Sequence, residues 1–282
     1  RSTLDRSSAA SDVYKRQAKS LNRMKLFLKY LYMQHQEKKL NKSLIIGNQM
    51  QQYFTQKYWN YFLITRMVSI LMNKSEALDF VNILKQTYPD AKCSLDFETP
   101  FQLAIAVMLS AQCTDERVNK TTPTLFERCK TIEDFENIDI NELEDIIHPC
   151  GFYKNKAKNI KLCAKQVIEN FNGELPHTMN ELLTLAGIGR KSANVIMLEA
   201  FGIAEGIAVD THAKRISNRI GLSNESEPEK IEQDLIKVFP NETLKDINHL
   251  FMWLGRNTCD ARNPHCDSCS VKQYCNFYKK IS

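Results

Sequence analysis

The sequence has 282 residues, of which 43% are hydrophobic and 25% are charged, and its net charge is +5. This composition is typical of globular proteins and excludes collagen-like, mucin-like and wholly disordered chains. Because no apolar run reaches the roughly 18 residues of a membrane span and no secretory signal is recognisable, we expect a soluble cytoplasmic protein with no membrane partner.

The first 71 residues differ from the rest in charge and in pattern. They contain 13 Lys and Arg against three Asp and Glu, which leaves 25 basic and 30 acidic residues for 72–282. Residues 1–71 show no sustained helical stripe, so we expect a disordered or non-native extension before a natural start at Met72. The alternative is a basic arm that binds DNA. Since 72–282 is net acidic, its contacts with a polyanion must be local.

From Met72 onward the sequence predicts one helix after another. Residues 75–88 place apolar side chains at helical spacing behind a Ser75 cap, and Thr99-Pro100 starts a helix that is apolar almost all round. No segment alternates apolar and polar residues with period two, so the predicted fold class is all-α. The other predicted helices are 115–129, 140–148, 154–171, 178–185, 190–201, 211–220, 228–239 and 243–257.

The nine cysteines fall into two groups. Five are scattered, and we expect them to be reduced core residues because the chain has no secretory signal. The other four crowd the C-terminus with the spacing C-x6-C-x2-C-x5-C, as expected for thiolates around one metal centre. Uneven gaps and a single C-x2-C favour a [4Fe-4S] cluster over zinc, and disulfides are a third alternative. These four residues are Cys259, Cys266, Cys269 and Cys275.

A turn with two glycines lies in the segment LAGIGRKSANV, residues 185–195. Gly187 and Gly189 permit positive φ and a close backbone approach. A tight turn that leads into a helix N-terminus points N–H groups outward, which makes a phosphate site without side-chain charge. The alternative is a plain connection between helices with Gly as the C-cap.

Two ionisable residues after this turn are candidates for catalysis. Lys191 lies in the first turn of the second helix beside Arg190, where the helix dipole and partial desolvation favour the neutral, nucleophilic amine. Its alternative role is a second phosphate contact. Asp210 precedes Thr211 and His212 where a helix should start. It is therefore either an N-cap or a carboxylate that faces Lys191 in acid–base or electrostatic catalysis.

Together these motifs resemble the endonuclease III family, the bifunctional DNA glycosylases of the helix–hairpin–helix superfamily with a C-terminal iron–sulfur loop. The matching motifs are LSAQCTD at 109–115, the turn at 185–195, VDTH at 209–212 and the four-cysteine loop. The resemblance runs from about Met72 to the C-terminus. It implies removal of oxidised pyrimidines in base excision repair, AP lyase activity by β-elimination, and a [4Fe-4S] cofactor.

The resemblance also implies roles for individual residues. Lys191 would be the nucleophile and Asp210 its carboxylate. Gln112 would enter the gap left by the flipped base, and Phe152 would be an apolar wedge. Further contacts with DNA would come from Gly187, Gly189, Arg190, His212 and Arg262. A candidate basic stripe, or else a solvated helix face, consists of Lys154, Lys156, Lys158 and Lys161.

The architecture implied by the resemblance is two helical domains on either side of a DNA-binding cleft. A six-helix barrel would span 93–203, and an iron–sulfur domain would combine 72–92 with 204–282. The partner would be damaged double-stranded DNA, bound by a monomer associated with the nucleoid. The chain departs from the family at Ala186, where Pro is usual, and in a loop at 202–207 that is one residue longer. A third departure is the cysteine loop, where few basic residues stand between the first two cysteines.

Two other functions remain open on the sequence. A non-catalytic iron–sulfur protein that binds DNA and senses redox state would share the cluster and the glycine turn, but it would have no use for a nucleophilic Lys191. An adenine-specific mismatch glycosylase of the same superfamily normally lacks this lysine and carries a catalytic Glu early in its barrel.

Overall fold

The structure is a computed structural model, and it describes residues 72–282. The expectation for residues 1–71 lies outside the described residues. The described part is helical and contains no β-strand, which confirms the all-α class. Its α-helices are α1 (Lys74–Thr87), α2 (Pro100–Ser110), α3 (Asp115–Arg128), α4 (Ile132–Asn137), α5 (Ile140–Ile147), α6 (Tyr153–Phe171), α7 (Met179–Leu182), α8 (Arg190–Phe201), α9 (Thr211–Ile220), α10 (Pro228–Val238), α11 (Leu244–Asn257) and α12 (Tyr278–Ile281).

Three short 3₁₀ helices accompany these α-helices in the described part, at His148–Cys150, Asn241–Thr243 and Lys272–Tyr274. The predicted helix at 178–185 is shorter than expected and spans only Met179–Leu182, because the chain already turns toward the glycines beyond it. None of the helices within 72–282 is long and apolar enough to cross a bilayer.

Reciprocal side-chain caps fix the starts of two helices. The predicted Ser75 cap of α1 was wrong, because Asn73 caps the helix by accepting from the Glu76 N–H at 3.0 Å while the Glu76 carboxylate accepts from the Asn73 N–H at 3.0 Å. The sequence reading missed α4, although Thr131 and Asp134 form the same kind of capping box before it. The three-residue spacing of Thr131 and Asp134 is visible in the sequence and could have predicted this helix.

Buried apolar side chains form two separate cores. The first core draws all of its members from 95–203 and has α2 at its centre, where every residue from 103 to 109 is buried. The second draws its members from 72–91 and 204–275. In it the ring of Phe80 packs against those of Phe239, Phe251 and Tyr274, with centroids 5.9–6.1 Å apart. This partition supports the two domains expected from the sequence, whose boundaries stay a prediction.

Polar contacts join helices that pack in the two cores. His249 Nε2 on α11 lies 2.7 Å from Glu199 Oε1 on α8, and Arg256 Nη2 lies 3.3 Å from Asp115 Oδ2 at the start of α3. Helices of the first core and of the second therefore contact each other through polar side chains, and α8, whose first turn contains Lys191, takes part in this contact.

Candidate functional site

The two glycines of the turn have different conformations. Gly187 has φ +79, and a Cβ there would lie 2.5 Å from Met108 Cε and 3.0 Å from Asn159 Cβ, so both the backbone and the packing require glycine. Gly189 does not use the positive φ that glycine permits: it has φ −98 and ψ 176 and serves as the N-cap of α8. A Cβ at Gly189 would meet nothing within 4 Å. The fold of the chain therefore explains Gly187 but gives no reason for Gly189.

Gln166 on α6 holds the chain just before the turn. Its Oε1 accepts from the Ala186 N–H at 2.7 Å, and its Nε2 donates to the Thr184 carbonyl at 3.2 Å. A proline has no N–H. The first of these bonds can therefore form only because residue 186 is Ala and not the Pro that the family resemblance leads one to expect. The sequence reading missed Gln166, because nothing local indicates a partner 20 residues away.

Gln112 and Phe152 lie at one cavity beside the turn. Both are exposed and both have a left-handed backbone, with φ +55 at Gln112 and φ +48 at Phe152. Such a conformation costs a non-glycine residue about 1–3 kcal/mol and tends to be retained at functional sites. The cavity has a volume of about 230 Å³, and Gly187 also lines it. The structure thus brings together three residues that the sequence singled out separately.

The candidate basic stripe on α6 is interrupted. Lys156 is only 7% exposed, and its Nζ donates to the Leu109 carbonyl at 2.8 Å and the Cys150 carbonyl at 2.9 Å. Burial lowers the pKa of Lys156. Lys161 donates to carbonyls at Glu136 and Ile138. Both ammonium groups thus bind carbonyls near the ends of helices, and carbonyls at such ends lack partners within the helix. Among the four lysines, those left exposed are Lys154 and Lys158.

Lys191 and Asp210 lie at the starts of two successive helices. The expected partial desolvation of Lys191 was wrong, because this residue is exposed in the first turn of α8. No side chain caps the N-terminus of this helix. The first N–H groups of α8 are therefore left to bind a ligand. Asp210 is half-buried and is the N-cap of α9, where its Oδ1 accepts from the Ala213 N–H at 2.7 Å. The second carboxylate oxygen of Asp210 retains acceptor capacity, and the catalytic roles of both residues stay predictions.

Arg190 is tied to a buried carboxylate that the sequence reading missed. Its Nε lies 2.6 Å from Oε2 of Glu232 on α10, whose side chain is 3% exposed. The hydrogen bond with Glu232 raises the pKa of Arg190. The guanidinium group is partly exposed although it is held by Glu232. Its expected contact with DNA stays a prediction.

His212 is held by an arginine one turn later on α9. Its Nδ1 lies 3.0 Å from Arg215 Nη2, which also donates to the Gly255 carbonyl at 3.0 Å. Since a guanidinium group only donates, Nδ1 must accept and the ring proton lies on Nε2. Burial lowers the pKa of His212, and Arg215 lowers it further while Asp210 opposes the shift. The ring is therefore neutral near pH 7, and its expected contact with DNA remains a prediction.

The four C-terminal cysteines line one cavity. All nine cysteines are free thiols, so none is in a disulfide. Arg219, near the end of α9, points Nη1 at Cys259 Sγ from 3.3 Å and donates to the carbonyls of Asp260 and Ala261 at 2.6 and 2.8 Å. Arg262 is exposed, and its N–H donates to Asp260 Oδ1 at 2.8 Å. The cavity residues that bear on a metal centre are Cys259, Cys266, Cys269, Cys275, Arg219 and Lys272.

The four thiols that line this cavity are a donor set that zinc and iron–sulfur clusters both take. Within 72–282, no three His, Cys, Asp or Glu side chains are grouped closely enough to hold one metal ion. Burial raises the pKa of Cys266 and of Cys269, and the neighbouring cysteines raise it further. A positively charged iron centre would offset both effects.

The chain is similar to known DNA repair proteins in sequence and in fold. Residues 105–241 match the HhH-GPD superfamily of base excision DNA repair proteins. Endonuclease III of Synechocystis sp. is 46% identical over 213 residues, which cover 76% of this chain and 96% of that protein. Endonuclease III of Escherichia coli K12 is 38% identical over 210 residues, 74% of this chain and 99% of that protein. The solved structure of a non-covalent endonuclease III–DNA complex superimposes with a TM-score of 0.70 at 40% identity, covering 75% and 99% of the two chains.

Proposed function

The chain belongs to the endonuclease III family of base excision repair DNA glycosylases with AP lyase activity, and we propose that it removes oxidised pyrimidines from duplex DNA through Lys191. The observation that carries the proposal is the cavity at which Gln112, Phe152 and Gly187 meet, just before the helix that begins with Arg190 and Lys191. Two of these residues have a strained, exposed backbone with no role in the core.

Chemistry at the sugar requires the base to leave the stack, because a stacked nucleotide hides C1′. Extrusion costs a few kcal/mol and is cheapest for a damaged base. In the proposal, Gln112 and Phe152 occupy the space behind the extruded nucleotide. Phe152 is 68% exposed, so it can intercalate without first leaving a packed core.

Lys191 is proposed as the nucleophile. Its neutral amine attacks C1′, the N-glycosidic bond breaks, and the base departs with the electron pair of that bond and takes up a proton. Asp210 accepts the amine proton or stabilises the positive charge that develops on the sugar. Ring opening gives a Schiff base, which acidifies the C2′ hydrogen. Loss of this proton expels the 3′ phosphate and breaks the strand.

The phosphates are proposed to bind at the N-terminus of α8. Its first N–H groups have no side-chain cap, and the space beside Gly189 is open. Backbone N–H groups and the helix dipole bind phosphate without a basic surface, in keeping with the net negative charge of 72–282. The related structure solved with DNA supports DNA as the partner. We expect the protein to act as a monomer.

The four cysteines of the C-terminal loop are proposed to hold a [4Fe-4S] cluster. When bound, the cluster would supply a structural staple or an electron-transfer centre, because four thiolates leave no ligand position for substrate. Arg219 would donate to a ligand sulfur and partly neutralise the thiolates. Since α9 carries Asp210 at its N-terminus and Arg219 near its C-terminus, the loop also supports the helix that Asp210 caps.

Borohydride trapping on a duplex with one oxidised pyrimidine tests the proposal. The wild-type protein should form a covalent adduct with DNA, since borohydride reduces the Schiff base. Lys191→Ala should form none while still binding DNA. Lys245→Ala is the matched control, because Lys245 is exposed on α11, and it should trap as the wild type does. An adduct that persists in Lys191→Ala would refute the role of this lysine. DNA binding without any adduct in the wild type would instead indicate the non-catalytic binder.

A further inference from the structure

Glu232 is a buried carboxylate that contacts both segments leading to the candidate catalytic pair. It lies on α10 and is 2% exposed. Its Oε2 accepts from Arg190 Nε at 2.6 Å. Its Oε1 accepts from Asn194 Nδ2 at 2.8 Å and from the Ile207 N–H at 3.3 Å.

These contacts join the start of α8 to the approach to α9. Arg190 is the residue before Lys191, and Asn194 lies one turn later on the same helix. Asn194 Nδ2 also donates to the Ile207 carbonyl at 3.3 Å, so the peptide groups on both sides of Ile207 are bound by Asn194 and Glu232. Ile207 comes three residues before Asp210. Glu232 therefore links the helix of the amine to the segment of the carboxylate.

Gly206 permits this close contact. A Cβ at Gly206 would lie 2.3 Å from Asn194 Oδ1 and 2.3 Å from Glu232 Oε1. Ordinary Cβ atoms do not come this close to an oxygen, so the loop reaches the polar pair only because this residue has no side chain. Gly206 belongs to the loop that is one residue longer than the family resemblance leads one to expect. Because residue 206 has no side chain, this loop can pack against Asn194 and Glu232 shortly before the chain reaches Asp210.

Stability alone does not account for a carboxylate at this position. Removing a carboxylate from water is costly, and buried ion pairs are often no more stabilising than apolar residues of the same size. What such a pair provides is a fixed geometry between the elements that it joins. In this case those elements carry Lys191 and Asp210.

We propose that Glu232 is a positioning residue, which holds the start of α8 and the peptide groups of Ile207 in one arrangement so that Lys191 and Asp210 act on the same sugar. The inference rests on the proposed function, since it takes these two residues as the catalytic pair. Glu232 is buried and acts through Arg190, Asn194 and Ile207 without touching DNA.

Glu232→Gln is the principal test. The amide oxygen can still accept from Asn194 and Ile207, but the amide nitrogen would face Arg190 Nε, donor against donor. A misplacement of about 1 Å can cost about 100-fold in rate. We expect the single-turnover rates of base excision and of borohydride trapping at saturating DNA to fall by about 10- to 100-fold. The Kd for DNA should change by less than about twofold, since no DNA contact is removed.

Two further variants separate positioning from charge and from folding. Glu229→Gln removes the same charge three residues earlier on α10, where the side chain is exposed, and it should keep the wild-type rate. Gly206→Ala changes no charge but displaces the loop, and it should lower the rate as Glu232→Gln does. If Glu232→Gln does not fold, Gly206→Ala is the test: a folded protein with a lowered rate supports the positioning role, and a folded protein with the wild-type rate overturns it.

The outcomes distinguish this inference from the proposed function. A wild-type rate in folded Glu232→Gln or in Gly206→Ala would overturn the positioning role. So would a loss of DNA affinity as large as the loss of rate, because Glu232 would then merely present Arg190 to DNA. If the wild-type protein forms no trapped adduct, or if Lys191→Ala still forms one, it is the proposed function that fails.

Discussion

The two glycines of the turn offer a matched pair of substitutions. Gly187→Ala places a methyl group on a backbone with φ +79, between Met108 Cε at 2.5 Å and Asn159 Cβ at 3.0 Å. Gly189→Ala places the same group on a backbone with φ −98, where nothing lies within 4 Å. We expect the first change to damage folding and the second to damage only DNA binding.

The expected loss of stability in Gly187→Ala follows from two contributions. The left-handed backbone costs a residue with a Cβ about 1–2 kcal/mol. Overpacking costs about 1–3 kcal/mol, at the lower end here because the Met108 side chain can move while Asn159 Cβ cannot. The sum is about 2–4 kcal/mol, which in a folded part of this size lowers Tm by about 5–15 °C.

Gly189→Ala should leave the folded chain unstrained. Its Tm should stay roughly constant, because the gain of about 0.4–1 kcal/mol through the unfolded state is offset by the poorer N-cap that Ala makes for α8. If a phosphate binds the N–H groups beside it, the methyl group displaces that phosphate. Losing one charged hydrogen bond of about 1.5 kcal/mol or more weakens the DNA Kd by at least about tenfold.

The assay is thermal unfolding of both variants together with DNA binding at a fixed salt concentration. A Gly187→Ala protein as stable as the wild type would refute the packing and backbone calculation. A Gly189→Ala protein with wild-type DNA affinity would refute the phosphate site at the start of α8, whatever its Tm.

Three other outcomes follow from contacts in the structure. Gln166→Leu should lower the free energy of unfolding by about 1–3 kcal/mol, because the Ala186 N–H loses its acceptor. Cys269→Ala should abolish the visible iron–sulfur absorption and lower Tm, because the loop loses its cofactor. Burial lowers the pKa of His212, so the unfolded chain takes up this proton first as the pH falls below about 6.5. Stability should therefore decrease below that pH, and His212→Asn should make the decrease shallower.

Each of these outcomes has its own control. Adding Ala186→Pro to Gln166→Leu removes the orphaned N–H, and it should recover most of the lost stability. Cys93→Ala, outside the C-terminal loop, should keep both the colour and the Tm; equal losses in this variant would contradict the assigned ligands. For His212, urea unfolding at about pH 7.5 and about pH 5.5 gives the comparison. An unchanged slope in His212→Asn would show that another group titrates.

Local patterns account for the parts of the structure that the sequence predicted correctly. Apolar spacing and helix caps involve residues that are close together in the chain. For this reason α3, α8 and α9 begin where the sequence indicated. The same local logic could have found α4, whose capping box was overlooked. It could not reveal that Gly189 needs no positive φ, because two neighbouring glycines give the same signal whatever backbone each adopts.

The sequence by itself determined the helical class, the positions of most helices, the glycine turn and the grouping of four cysteines, because each depends on residues near one another in the chain. Only the tertiary structure decided which polar groups are buried together. Arg190 and Glu232 are 42 residues apart, and Lys156 meets a carbonyl 47 residues away. A buried charge is tolerated only where tertiary packing brings a partner next to it. Because that partner is distant in the chain, the local sequence does not indicate which residue it is.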